Sequence, residues 1–389
     1  MKSRFLGIIL IALGLLLNVY FLEYLFSVNK QIETEVYRSL IWLFDIFLVV
    51  IGIFQYRSNF TINRKYILFS SISLLIFIVF IEIFFRIGST FFLSTSDRII
   101  DEYYGWVCKP NYKKEIKYKG YGDKQILYST KMNGFRSWHK IDPNKKRVFV
   151  LGDSMTQGLK VNDNRNYYDI LAEQLGDSFQ VFSYGCGGYG SLQEYMILDK
   201  YFDIIDPDII IIQTSSNDIS DNYLDLEKIS LGNNNFMRRP YLINGDIEYH
   251  YPYPGNKFIV FLQKNFISFK FLSGRLRIFE LLIANKNIDE TNSLYSLALE
   301  TTEQIFKLIK QRIGEKKLFV FESDKNQFIN KICKKLDIEF IDTIQNDIIR
   351  AQIEGLKING LPYDSHWNDT GNEIVGNSLS KTIKLYFSS

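Results

Sequence analysis

Apolar residues follow two patterns along this chain. Up to about residue 95 they form long runs, at 5–26, 40–54 and 67–93, broken mainly by Asn18 and Glu23, by Asp45, and by Glu82 and Arg86 in turn. Each run is near the roughly 20 residues that cross a bilayer core, the second being short. The pattern therefore predicts about three transmembrane helices within 1–95. Beyond residue 145 short apolar runs alternate with amphipathic stretches. Strands are expected at 147–151, 179–184, 208–213, 317–322 and 337–342, and helices at 166–175, 192–202, 293–311, 325–336 and 370–387. Strands that are apolar throughout and alternate with helices belong to a parallel sheet covered on both faces. This predicts a doubly wound α/β domain of flavodoxin-like type over 147–389.

Two segments depart from that rhythm. Residues 96–146 are polar and aromatic, punctuated by Pro110, Gly120, Gly122, Gly134 and Pro143, and read as a linker with a small antiparallel flap, its strands at 114–118 and 125–130. Within it 131–136 reads as a surface turn. Residues 220–286 interrupt the α/β alternation with three asparagines at 233–235, the aromatic run 249–255 and a basic, apolar stretch at 264–277. An insertion of that length reads as a lid or binding loop that can stack on sugar rings, cover an acyl chain or pack on the membrane.

The loops between the apolar runs suggest an orientation. Arg57, Arg64 and Lys65 outnumber Lys30 and Arg38 by one, which places Lys2, Arg4 and the second loop in the cytoplasm. Three crossings then put the rest of the chain in the periplasm or outside the cell. No small-residue cleavage site follows the first run, so a retained helix is expected. Asp45 reads as a helix–helix contact, and Glu82 as reaching an interface or a neighbouring helix.

Composition removes several function classes. The net charge is +3 and the lysines are scattered among acids, so no nucleic-acid partner is indicated. Cys108, Cys186 and Cys333 form no CxxC pair and lack neighbouring histidines, which speaks against zinc; one bridge, Cys108 to Cys333, stays open. No metal or cofactor is called for. Only His139, His250 and His366 are available as an imidazole base.

The chemistry centres on 147–158, RVFVLGDSMTQG, a buried strand running into Gly152, Asp153 and Ser154. A serine at the carboxyl end of a parallel strand stands where such sheets bind ligands, although taken alone it reads equally as a helix cap. Three further segments can converge on it. Residues 185–190, GCGGYG, are a glycine-rich turn opening a helix, with no Lys-Ser/Thr to make a phosphate loop. Residues 214–218, TSSND, offer the Asn217 amide as an oxyanion donor or a turn residue. Residues 362–368, PYDSHWN, place Asp364 two positions before His366, where the acid can orient the ring.

Together these blocks resemble the SGNH hydrolases, also called the GDSL family, over about 100–385. Gly134-Phe135-Arg136, Gly105-Trp106 and Lys109-Pro110-Asn111 are similar to the lead-in of many bacterial members. The resemblance implies Ser154 as nucleophile, His366 as general base then acid, Asp364 as its orienting partner, and an oxyanion hole from the N–H groups of Ser154 and Gly188 and the side chain of Asn217. Asp153 reads as structural, and Cys186 lacks a base of its own. Ser216 stands where the family usually has glycine. The acid lies two rather than three residues before His366, with Trp367 after it, a form similar to polysaccharide O-acetyltransferases such as the alginate-modifying enzymes. The implied activity is that of a membrane-anchored serine esterase acting outside the cytoplasm on O-acyl esters of a cell-envelope glycan, O-acetyl first, with lipid esters second. The alternatives are an O-acetyltransferase served by a membrane acyl-donor protein, or a glycan-binding module without catalysis.

Overall fold

The computed structural model describes residues 3–16, 18–21, 35–57, 64–92, 97–117, 125–230, 237–252, 257–275, 293–324, 327–360 and 365–388. The chain divides into two compact units, one of Met1–Ser96, Lys228–Leu231 and Tyr253–Asn287, the other of Asp97–Glu227, Gly232–Pro252 and Ile288–Ser389.

The first unit contains α1 (Ser3–Leu16), α2 (Glu35–Arg57) and α3 (Arg64–Phe92). Arg38–Arg57 and Leu68–Gly88 are long and apolar enough to cross a membrane. The 14 described residues of α1 reach only about 21 Å at 1.5 Å per residue, so two of the three expected spans meet the length requirement. α1 and α2 pack through glycines, as apolar helices do where small residues let backbones approach. A Cβ on Gly7 would lie 2.6 Å from Tyr56 N, one on Gly14 2.9 Å from Asp45 O, and one on Gly52 2.7 Å from Ile11 Cγ1. Asp45 is buried. On α3, the Glu82 carboxylate accepts from the N–H groups of Ile267 and Ser268, both at 3.1 Å, and from Ser268 Oγ at 2.6 Å. It thereby caps the helix Ile267–Arg275, with Arg86 Nε 2.8 Å away. Phe85 packs on Phe271 at 4.8 Å.

The second unit is built on a five-stranded parallel sheet: β5 (Lys146–Gly152), β6 (Phe179–Gly185), β7 (Ile209–Thr214), β10 (Lys317–Glu322) and β11 (Glu339–Phe340), in the order β11-β10-β7-β5-β6. Three hairpins accompany it: β1 (Arg98–Asp101) with β2 (Gly105–Cys108), β3 (Lys113–Lys117) with β4 (Gln125–Ser129), and β8 (Arg239–Ile243) with β9 (Asp246–His250). The helices are α4 (Ser154–Gln157), α5 (Tyr167–Leu175), α6 (Ser191–Ile205), α7 (Asn217–Asp221), α8 (Leu224–Glu227), α9 (Ser293–Ile313), α10 (Gln327–Lys335), α11 (Thr343–Ile353) and α12 (Asp369–Ser388). Counted within the sheet alone the order is 2-1-3-4-5, the doubly wound arrangement that was expected.

Strand alternation explains the two covering layers. Val148, Val150, Ile209, Ile211, Phe319 and Phe321 face a core with Tyr167, Leu171, Ile344, Ile348, Val375 and Leu379 of α5, α11 and α12. Phe149, Leu151, Ile210 and Ile212 point to the opposite face and are equally buried; α6 and α9 pack together as a second helical layer.

Two features differ from expectation, and a third concerns a bridge that the sequence left open. The segment 131–136 is no surface turn: Phe135 is fully buried against Phe149, Tyr184 and Tyr201, and Arg136 is buried with Asp163 at 3.0 Å and the Tyr128 ring at 4.3 Å. The turn closes over β6, where Arg136 N donates to Ser183 O. Helix α11 was not anticipated, although Ile344, Ile348 and Ala351 carry its apolar stripe. All three cysteines are free and buried, so no Cys108–Cys333 bridge forms.

Gly185, at the end of β6, lies where a Cβ would overlap the backbone of Thr156 and Gln157. Gly185→Ala is expected to cost about 1–3 kcal/mol, as overpacking does, and to displace α4. Chemical denaturation of the full chain measures the loss.

Candidate active site

β5 and β7 lie side by side at the centre of the sheet, and the chain leaves them toward opposite sides: β5 is followed by β6 on one flank, β7 by β10 on the other. Beyond the carboxyl ends of two such strands a crevice opens. Asp153 and Ser154 follow β5, and Ser215 to Asn217 follow β7.

The turn carrying Ser154 is held from below. The Asp153 carboxylate accepts from Met155 N at 2.9 Å and caps α4, so the acid beside the serine is structural. Gln213, buried one residue before the end of β7, accepts from Thr156 Oγ1 at 2.8 Å and Asp153 N at 3.3 Å, and donates to Ser215 Oγ at 3.0 Å. Ser215 Oγ in turn lies 2.8 Å from Ser323 Oγ, past the end of β10. One buried amide thus ties the exits of β5 and β7 together. Sequence reading passed over Gln213; its signal is a lone polar side chain ending the run IIIIQ.

His366 Nε2 lies 2.8 Å from Ser154 Oγ. The loop holding it is anchored by Trp367, buried and edge-on to Tyr167 at 6.1 Å, and by Asn368 N donating to Ile358 O at 2.8 Å. Asp364 lies outside the described residues. His139 and His250 pair instead with Ser137 and Glu248.

Asn217 opens α7 and donates through Nδ2 to Asp221 Oδ2 at 3.0 Å. Ser216, in place of the expected glycine, bonds Asp324 through its N–H at 3.0 Å and its Oγ at 2.5 Å, pinning the loop to the exit of β10. Ser154, Asn217 and His366 line one cleft of about 360 Å³, with Ser215, Ser323, Asp324 and Ser365 among its walls.

Gly188 does not line that cleft, but its neighbour does approach the serine: a Cβ on Gly187 would stand 3.6 Å from Ser154 Cβ. Gly188 has φ +80°, a left-handed conformation that suits glycine. The structure therefore brings Ser154, Asn217 and His366 together, with the Gly187–Gly188 turn beside them.

Acidic groups crowd beneath the serine. Burial pushes the Asp153 carboxyl up, while His366 opposes the rise. Burial also pushes Glu194 well up, aided by Asp153, and Asp218 well up, aided by Glu194, Asp153 and Asp221. Neither Glu194 oxygen has a hydrogen-bond partner among the described residues. The Cys186 thiol is pushed well up by burial and by adjacent Cys108, so it is a poor thiolate nucleophile.

The parallel sheet, with a serine and a histidine meeting at the carboxyl ends of its central strands, defines an α/β serine hydrolase. Residues 150–231 match the GDSL-like Lipase/Acylhydrolase family, and the domain is of this GDSL, or SGNH, type. The match contains Ser154, Gly188 and Asn217 and ends before His366. No curated protein matches the chain. Among solved structures, the lipase/acylhydrolase from Enterococcus faecalis is 13% identical, with 61% of this chain and 95% of that one covered at a TM-score of 0.35. The inhibitor-bound aryl esterase of M. smegmatis is 11% identical, covering 61% and 98% at 0.35. A carbohydrate esterase family 2 enzyme with its carbohydrate binding domain, from Corynascus thermopiles (Myceliophthora fergusii), is 10% identical, covering 68% and 71% at 0.36. Likeness at this level adds nothing to the functional reading, which rests on the motifs and the geometry.

The buried acids make a pH prediction. Glu194 binds its proton more tightly folded than unfolded, so its stabilisation is complete below the ordinary value of 4.5 and is lost as pH rises toward the folded value. As pH rises from the ordinary value of 4.5 toward the folded value, the unfolding free energy of Glu194→Gln should therefore fall less steeply than that of wild type, by up to about 1.4 kcal/mol per pH unit. Denaturant titrations across that range check it, and parallel pH profiles would contradict it.

Proposed function

We propose that this chain is a membrane-anchored serine esterase that works outside the cytoplasm and removes O-acyl groups, foremost O-acetyl, from a cell-envelope glycan. The observation that carries the proposal is the 2.8 Å contact between His366 Nε2 and Ser154 Oγ at the switch point of the sheet. In this reading Ser154 Oγ attacks the ester carbonyl carbon and its proton passes to His366 Nε2. The negative charge moves to the carbonyl oxygen, which receives the N–H groups of Ser154 and Gly188 and one N–H of the Asn217 amide. That amide carries two N–H donors; Asp221 takes one at 3.0 Å and fixes the side chain, and the other has only a long 3.5 Å contact to Asp218 Oδ1 to exchange for the oxyanion. The tetrahedral adduct collapses as His366 returns the proton to the departing alcohol, leaving the acyl group on Ser154. Water, deprotonated by His366, then releases the acid. Asp364 is assigned the role of orienting the imidazole.

The walls of the cleft favour a small acyl group on a hydroxyl-rich alcohol. Ser215, Asn217, Ser323, Asp324 and Ser365 present hydroxyls, an amide and a carboxylate, and among the described lining residues only Met155 is apolar. The two apolar helices of membrane-spanning length support the anchor. If a sugar hydroxyl replaces water in the second step, the same acyl-enzyme makes a transferase, which would require a membrane partner to present the acyl donor. A binding module without catalysis has no use for the serine–histidine contact.

The test uses the full chain in detergent with a fluorophosphonate probe and p-nitrophenyl acetate. Wild type should be labelled and release acetate, and Ser154→Ala should do neither. Asn217→Ala should lower turnover by about 10²- to 10³-fold. Labelling that persists in Ser154→Ala, or a folded wild type that takes no label, would contradict the reading. Acetylated glycans in the presence of sugar acceptors then separate hydrolysis from transfer by the fate of the acetyl group.

A further inference from the structure

The turn beside Ser154 is gripped by two guanidinium groups that belong to neither the sheet nor its covering helices. Arg98, on β1, donates through Nη1 to Gly187 O at 2.7 Å, and Trp106, on β2, donates to the same oxygen through Nε1 at 3.0 Å. Gln157 Oε1 accepts from Gly187 N at 2.8 Å. Arg239, on β8, donates through Nη2 to Gly188 O at 2.7 Å. Its guanidinium stacks at 5.1 Å on the Trp106 ring and lies 3.4 Å from both Asp221 Oδ2 and Glu227 Oε2.

The direction of each bond matters. The Gly187–Gly188 peptide is trans and planar, so Gly187 C=O and Gly188 N–H point opposite ways. Arg98 and Trp106 draw the carbonyl to one side and thereby aim the Gly188 N–H to the other. A cationic donor on the carbonyl also polarises that peptide and strengthens its N–H as a donor. Arg239 holds the next peptide, so the residue is fixed at both ends. The same Arg239 sits on Asp221, whose Oδ2 orients the Asn217 amide at 3.0 Å. A single buried cation is therefore linked to both non-serine donors.

Burial alone gives no reason for a cation here. Arg239 has only 1% of its surface exposed, and burying an ion pair costs desolvation that its attraction often fails to repay. Burial works against its charge, while Asp221 and Glu227 keep it ionised. Burial also raises Glu227, to about 8, against the pull of Arg239. What the fork supplies is geometry, because a planar guanidinium binds a carbonyl and two carboxyl groups along fixed directions that a lysine cannot reproduce.

We infer that Arg98 and Arg239 are positioning residues that set the oxyanion hole, Arg98 by aiming the Gly188 N–H and Arg239 by fixing Gly188 and, through Asp221, Asn217. The inference rests on the assignment of Gly188 and Asn217 as oxyanion donors. It also gives part of the 220–286 insertion a role apart from that of a lid, since β8 delivers Arg239 beneath the turn.

A substrate pair separates positioning from general damage. A thiono ester develops its charge on sulfur, which accepts hydrogen bonds poorly, so a well-formed oxyanion hole favours the oxygen ester over it. The full chain in detergent is assayed as wild type, Arg98→Met, Arg98→Lys, Arg239→Met and Asn217→Ala on p-nitrophenyl acetate and on its thiono counterpart, with rates divided by the number of sites labelled at completion by fluorophosphonate. Arg98→Met and Arg239→Met should each lose about 10- to 10²-fold in kcat on the oxygen ester, less than removal of a donor outright, with KM nearly unchanged. Loss on the thiono ester should be several-fold smaller, reproducing the lowered selectivity of Asn217→Ala, and Arg98→Lys should recover part of it. Arg98 is 29% exposed at its side chain, so its variants remain informative if Arg239→Met fails to fold. Equal losses on the two esters, or an Arg98→Met enzyme with wild-type rate and selectivity, would overturn the inference. Label that persists in Ser154→Ala would instead overturn the esterase reading beneath it.

Discussion

The parallel register of β5 on β7 is the constraint that the rest of the molecule obeys. Val148 to Leu151 pair with Ile209 to Ile212, and that pairing decides that Ser154 and Asn217 emerge at one end of the sheet. Gln213 then converts a packing register into a chemical one, since its side chain bonds the turn after β5 and the loop after β7 at once. Neither turn can shift without breaking a buried hydrogen bond, and leaving such a group unpaired costs about 1–3 kcal/mol. His366 arrives from the far end of the chain, seated by the burial of Trp367 in the core that α5 and α12 share.

A second constraint acts through charge. The nucleophile's turn lies above carboxyls whose proton affinity burial raises, chiefly Glu194 and Asp218, while the loop beside it is held by cations. Burial disfavours negative charge on the acids below, and guanidinium donors stand at the side, both of which suit a developing oxyanion. Water-excluded dipoles aimed at such a charge are worth far more than in solvent, which is why small errors in the Gly187–Gly188 peptide would be costly.

Much of this was legible in the residues. Apolar strands such as 209–212 can only be central, and a serine, an asparagine and a histidine after strands or before the last helix could be named because their function demands those positions. What was not legible depends on remote partners. Nothing in the sequence around Arg239 singles it out; its role appears only when Asp221, Glu227 and Trp106 stand around it. Phe135 and Arg136 look like a surface turn because nothing local reveals that the turn lies over β6. Gln213 is one polar letter in an apolar run, and its role appears only when Thr156 and Ser215 stand beside it. Helix α11 was hidden by its polar residues, although its stripe of Ile344, Ile348 and Ala351 was present.

The most direct measurement of the central claim is rapid-quench peptide mass mapping after mixing the full chain with an acetyl ester. The account predicts an acetyl group that appears on the peptide containing Ser154 before the acetate release reaches steady state, and that is absent when His366 is replaced by alanine. Steady ester turnover with no acetyl on that peptide at any time, or acetyl carried by a different residue, would contradict it.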